Sequence, residues 1–139
     1  MTLVIDANIP IVLANPDPRR EVVRSLVREW IDSREPLHAP ALLPYEVASG
    51  LTRIVAAGRM SADDLNRSWS VLLSLPITYH SLDLHGDKVI QIALRLGRQS
   101  AYDAAYLALT QDLHAQFWTL DGPLARNAAN LGFPVHLIQ

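Results

Sequence analysis

Two patterns of apolar residues alternate along the chain. Short runs of branched or aromatic residues read as buried strands, and longer stretches with apolar residues every three or four positions read as amphipathic helices. The runs predict strands at 3–5, 37–39, 76–79, 117–120 and 133–137. The helical stretches fall at about 18–33, 41–57, 83–96, 100–109 and 124–131, with one more beginning at Ser61 as its N-cap. Val22, Val23, Leu26, Val27, Trp30 and Ile31 give the first of these its stripe, and Arg19, Arg20, Arg24 and Arg28 its polar residues. Pro10 ends the first strand, leaving room for one short turn to Ala14. Pro44 is tolerable only in a first turn, so its helix begins near Leu42.

Short strands alternating with helices imply crossover connections and a mostly parallel sheet. The expected architecture is an α/β fold, a three-layer α/β/α sandwich around about five short parallel strands. No repeat, low-complexity tract or linker interrupts it, so residues 1–139 read as a single domain.

Polar residues at the ends of these elements change the picture. The first strand, Leu3-Val4-Ile5, runs straight into Asp6-Ala7-Asn8. A carboxylate at the tip of a fully buried strand is costly unless it meets solvent or a partner. Asp121 likewise follows the strand Phe117 to Leu120, while Glu46 and Asp103 fall near helix starts. In a parallel sheet, strand ends and helix starts share one edge, where ligands bind. All four acids are therefore expected at one crevice.

Each acid taken singly has an ordinary explanation. Ser100 and Asp103 have capping-box spacing, Asp121 precedes Gly122-Pro123 as a helix cap would, and Glu46 suits the helix dipole. Capping predicts no convergence, however. Four carboxylates in one pocket raise one another's pKa or bind a cation. An all-oxygen set suits Mg²⁺, with Mn²⁺ close behind. Such a site fits phosphodiester hydrolysis, in which a cation neutralises phosphate and acidifies an attacking water. Asn8 and Thr119 can orient a carboxylate from behind. His38 reads as an ordinary strand residue, since no second His lies at metal spacing.

Rival Asp-centred sites fit less well. A dehalogenase-like phosphotransfer site wants a second acid where Asn8 stands. A receiver-type site wants a lysine near the last strand, and the only lysine, Lys88, falls on an expected helix. No glycine-rich phosphate loop follows the first strand.

Composition adds limits. Cysteine is absent, as in a reducing cytosol. There is no basic segment ahead of an apolar one at the start, and no apolar run approaches the ~20 residues of a membrane span. The expectation is a soluble cytoplasmic protein with no membrane contact. A net charge of −2 argues against a broad basic footprint. Eleven of the twelve basic residues are Arg, the residue suited to bidentate phosphate contacts. Half the residues are hydrophobic, which hints at apolar surface covered by a partner.

Four segments in order carry a resemblance. Val4-Ile5-Asp6-Ala7-Asn8, Leu43-Pro44-Tyr45-Glu46-Val47, Tyr102-Asp103-Ala104-Ala105-Tyr106-Leu107-Ala108 and Thr119-Leu120-Asp121, the last followed by Leu131-Gly132-Phe133-Pro134-Val135, resemble the motifs of the PIN-domain ribonucleases. Among these the chain looks most like the VapC toxins of bacterial toxin–antitoxin pairs. The resemblance implies an endoribonuclease dependent on Mg²⁺ or Mn²⁺, with Asp6, Glu46, Asp103 and Asp121 around the metal. It also implies a homodimer and a small VapB-like antitoxin laid into the active-site groove. Arg19, Arg20, Arg53 and Arg126 are candidates for gripping RNA that no motif assigns. A non-catalytic interaction module and a DNA-directed 5′-nuclease are the alternatives, the latter weakened by the lack of any segment for a DNA clamp.

Overall fold

The computed structural model describes residues 1–82 and 86–139. Its strands are β1 (Leu3–Ile5), β2 (Leu37–Pro40), β3 (Ile77–His80), β4 (Gln116–Thr119) and β5 (Val135–Leu137). All pair in parallel, in the order β3-β2-β1-β4-β5. Leu3, Val4 and Ile5 are buried throughout because β1 lies at the centre and is covered on both faces. The outermost strands, β3 and β5, are only partly buried.

The helices are α1 (Asn8–Ala14), α2 (Arg20–Asp32), α3 (Leu43–Ala56), α4 (Leu65–Ser74), α5 (Gly86–Arg95), α6 (Tyr102–Asp112) and α7 (Gly122–Asn130). From β1 the chain steps outward to β2 and β3, then returns across the sheet to β4 and steps the other way to β5. With right-handed crossovers these two runs put their helices on opposite faces. The packing agrees: α1 contacts α2, α3 and α4, whereas α6 contacts α5 and the central strands β1, β2 and β4. This is the expected α/β sandwich. The direction of winding reverses between the neighbours β1 and β4, which makes the crevice beyond their carboxyl ends the topological switch point.

Three local expectations change, and a fourth falls outside the described residues. The segment after Asp6 is not a lone turn but the seven-residue helix α1, with Pro10 buried in its first turn. The first turn of a helix has N–H groups without intrahelical partners, so proline loses nothing there. Ser61 does not cap through its side chain. It precedes a 3-10 turn at Ala62–Asp64, and its hydroxyl donates to Asp64 Oδ2 at 2.8 Å. The helix expected from Ser100 starts at Tyr102 and runs on to Asp112. The expected start of another at Asp83 lies outside the described residues, and α5 is described from Gly86.

His38 is a strand residue, and its ring meets a second histidine brought in by β3. Its Nδ1 lies 2.7 Å from His80 Nε2, and burial next to that imidazole lowers the pKa of His38. Gly50 of α3 sits directly against Ile11 of α1, where an added Cβ would come 2.5 Å from Ile11 Cδ1. That close approach seats the two helices that carry Asn8 and Glu46.

Phe117 on β4 is wholly buried, with its ring 5.8 Å from that of Tyr106 on α6. Phe117→Ala leaves a cavity at this joint and should cost about 3–5 kcal/mol of stability. Urea unfolding of the two proteins, with unchanged m-values, checks this.

Candidate active site

The site is assembled at the switch point from the ends of β1 and β4 and the starts of α3 and α6. Asp6 follows β1 directly, and only 8% of its surface is exposed. Its Oδ1 accepts from the Ala7 amide at 2.8 Å. Its Oδ2 accepts from the Thr119 hydroxyl at 2.7 Å and from Asn8 Nδ2 at 3.1 Å. Asn8 and Thr119 thus both hold the carboxylate from behind. Their contacts go further and tie the two strand ends together. Asn8 Oδ1 accepts from the Leu120 amide at 3.2 Å, and Thr119 Oγ1 accepts from the Asp121 amide at 3.0 Å.

Despite these three donors, the Asp6 carboxyl is pushed up to about 7. Burial is the main cause, and the nearby charges of Glu46 and Asp103 add to it. Glu46 lies in the first turn of α3, where Pro44 is also accommodated. Its Oε1 accepts from the Tyr106 hydroxyl at 2.7 Å. Burial and the Asp103 charge raise its pKa, and Arg53, farther along α3, counteracts them. Asp103 is raised by burial and by Asp121, with Arg98 opposing; the Arg98 Nε lies 3.9 Å from its Oδ2. Tyr106 is held strongly in its protonated form by burial and the surrounding acids, so it donates.

Capping and convergence can now be separated residue by residue. Asp121 does cap α7, accepting from the Leu124 amide at 3.0 Å. Asp103 caps nothing: α6 begins after Ala101 without a side-chain cap. The four acids nevertheless share one electrostatic field, since Asp6 feels Glu46 and Asp103, Glu46 feels Asp103, and Asp103 feels Asp121. Among the described residues no three carboxylates stand close enough to share an ion as placed. The donor set is all oxygen, the chemistry of Mg²⁺ and Mn²⁺.

The arginines divide. Arg53 and Arg98 act on the acids directly. Arg126 lies over Gly122, which follows Asp121. Arg19 is engaged by Asp17, donating from both Nε and Nη2 at 3.0 Å. Arg20 lines, with Arg24 and Arg28, a groove of about 320 Å³ that none of the four acids borders. Sequence reasoning missed two residues, Tyr106 and Arg98. Tyr106 had a signal: it lies three residues after Asp103 on one helix, so both side chains project from the same face.

The family model of the PIN domain matches residues 3–130. The chain belongs to the PIN-domain family. Among curated relatives, VapC ribonuclease Mb0985 of Mycobacterium bovis is 30% identical over 120 residues, 86% of this chain and 85% of that protein. Ribonuclease VapC3 of Pyrobaculum aerophilum is 30% identical over 138 residues, 96% of this chain and all of that one. The chain is therefore a PIN domain of the VapC type. In fold it is similar to PAE2754 from Pyrobaculum aerophilum, with a TM-score of 0.68 at 23% identity over 91% of this chain and 79% of that one. It is also similar to Mycobacterium tuberculosis VapC20, described as a sarcin-ricin loop cleaving toxin. There the TM-score is 0.62 at 17% identity, over 94% of this chain and 95% of that one.

The raised acids of this PIN domain have a measurable consequence. Asp6 holds its proton more tightly when folded, at about 7, than in the unfolded chain, near 3.8. Between those values the native state binds more protons, so stability falls as pH rises. Glu46 and Asp103 shift in the same sense. Urea unfolding in EDTA should show lower stability at about pH 8 than at about pH 5, by on the order of 1 kcal/mol or more, and Asp6→Asn should remove most of that difference.

Proposed function

We propose that this PIN domain is an endoribonuclease dependent on Mg²⁺ or Mn²⁺ that acts as the toxin of a bacterial toxin–antitoxin pair. One observation carries the reading: Asp6, Glu46 and Asp103, from three distant segments, are buried or half-buried at one crevice, where Asp103 raises the pKa of Glu46 and both raise that of Asp6. A site so arranged gains most by exchanging protons for a divalent cation. Without one it would repel an anionic substrate.

In this reading Asp6, Glu46, Asp103 and Asp121 hold the cation. When bound, it supplies positive charge to the scissile phosphodiester and makes a water acidic enough to attack. The chain's own groups do the positioning. Thr119, Asn8 and the Ala7 amide fix both oxygens of Asp6. Tyr106 fixes one oxygen of Glu46, and the Leu124 amide one oxygen of Asp121. Arg53, Arg98 and Arg126 border the acids and are placed to meet flanking phosphates. Arg19 and Arg20 stand apart from the acids and would meet RNA only beyond the cleaved bond.

Kinship with VapC ribonucleases supports the RNA substrate and a VapB-like antitoxin as partner. The exposed Ile90 and Leu94 on α5 support an apolar contact with another chain, which we assign to a homodimer. Kinship with the VapC ribonucleases also supports a cytoplasmic setting, and no helix among the described residues is long and apolar enough to cross a membrane.

Single-stranded RNA should be cut when Mg²⁺ or Mn²⁺ is added and spared in EDTA. Asp6→Asn and Asp103→Asn should each lower kcat/KM by at least about a hundredfold, equivalent to about 2.7 kcal/mol of barrier. Cutting by both variants at the wild-type rate would sink the assignment. Millimolar Mn²⁺ should also raise the Tm of the wild type, because an ion bound only by the folded state stabilises it. An unchanged Tm would favour a non-catalytic module.

A further inference from the structure

Two tyrosines occupy matching places beside the acids. Tyr45 immediately precedes Glu46 and Tyr102 immediately precedes Asp103. They are the most exposed aromatic side chains among the described residues, at 78% and 62%. Tyr106, one turn farther along α6 than Tyr102, is fully buried, so the exposure is selective. Bare tyrosines at the first turns of two helices contribute little to the fold. Each leaves its ring open to solvent one residue from a carboxylate of the site.

Tyr102 also forms part of a pocket of about 480 Å³, lined chiefly by Pro40, Leu42, Leu82, Ala105 and Leu109. That volume suits a small organic group. The acids do not line it, but it opens from the same two turns. Leu42 is the N-cap of the helix bearing Glu46, and Ala101 is that of the helix bearing Asp103. Leu42 stands four residues before Glu46 and Ala101 two before Asp103, so the pocket and these two acids are neighbours along both helices. Unpaired RNA is recognised by splaying bases onto aromatic faces, and stacking tolerates any base.

We infer that Tyr102 and the apolar pocket beside it receive an unpaired base next to the cleaved phosphodiester, with Tyr45 offering a second stacking face beyond Glu46. The inference rests on the ribonuclease reading of the acids. Such a pocket favours unpaired RNA, because an unpaired base enters without the unpairing and unstacking that a duplex base requires. Tyr102 is then a determinant of substrate choice rather than of the chemistry. Its hydroxyl is dispensable and its ring is not.

The test compares wild type with Tyr102→Ala, Tyr102→Phe and Tyr45→Ala, after melting curves establish that these surface variants fold. Anisotropy of a short labelled unpaired RNA gives Kd, and cleavage of the same RNA in Mg²⁺ gives kcat and KM. Tyr102→Ala should weaken binding and raise KM roughly tenfold, Tyr45→Ala by less, while Tyr102→Phe stays within about twofold of wild type. A fully paired RNA should bind wild type and Tyr102→Ala alike. Unchanged Kd and KM in Tyr102→Ala would overturn the inference and assign the pocket to a protein partner. So would equal losses in the Phe and Ala variants, or no binding by wild type. Wild type that binds the RNA through Tyr102 but cuts nothing would leave the inference standing and remove the nuclease reading.

Discussion

A carboxylate buried at the end of the central strand is the constraint on which the rest of this structure depends. Asp6 cannot be withdrawn to solvent, because β1 is covered on both faces and the chain turns at once into α1. An unpaired charge there would be prohibitive. The fold meets the cost with three donors to its two oxygens and with a pKa raised far enough to let the group hold a proton near neutrality. Both devices suit the cation proposed for this site. The donors fix its orientation without neutralising it, and the bound proton is readily exchanged.

The neighbouring acids inherit their positions from this centre. The winding of the sheet reverses between β1 and β4, so the ends of those strands open a crevice that no crossover covers. The pair Asn8 and Thr119 serves two purposes at that crevice. It orients Asp6, and it joins the turn after β1 to the turn after β4, which delivers Asp121 to the same edge. From the other layer, Tyr106 carries a hydrogen bond from the buried side of α6 out to Glu46. The acids therefore rest on core residues, and core packing and site geometry are not separable.

Much of this was legible in the residues. The strands read as short apolar runs, and burial on both faces makes the central one, β1, the most conspicuous. The location of the acids at one edge followed from parallel topology alone. What escaped was of two kinds. Local conformations governed by a proline's position were misjudged, because Pro10 breaks a helix interior but not a first turn. Pairings across the sheet were invisible: His38 with His80, and Glu46 with Tyr106, join segments 42 and 60 residues apart. Capping-box spacing at Ser100 and Asp103 was present in the chain and unused in the fold, since spacing cannot show whether a side chain has a better place to go.

The sheet order also sets a sequence of events. β1 is the first strand in the chain, yet its neighbour β4 is the fourth, and the hydroxyl that holds Asp6 lies 113 residues away. Contacts so distant in sequence form late and slowly, because loop closure must precede them. A chain emerging from the ribosome can pair β1 with β2, and β2 with β3, well before β4 exists. Until then Asp6 has neither Thr119 nor Asp121 beside it. The crevice is thus completed only after β4 has been made, and a chain stopped short of it carries Asp6, Glu46 and Asp103 without the partners that β4 delivers.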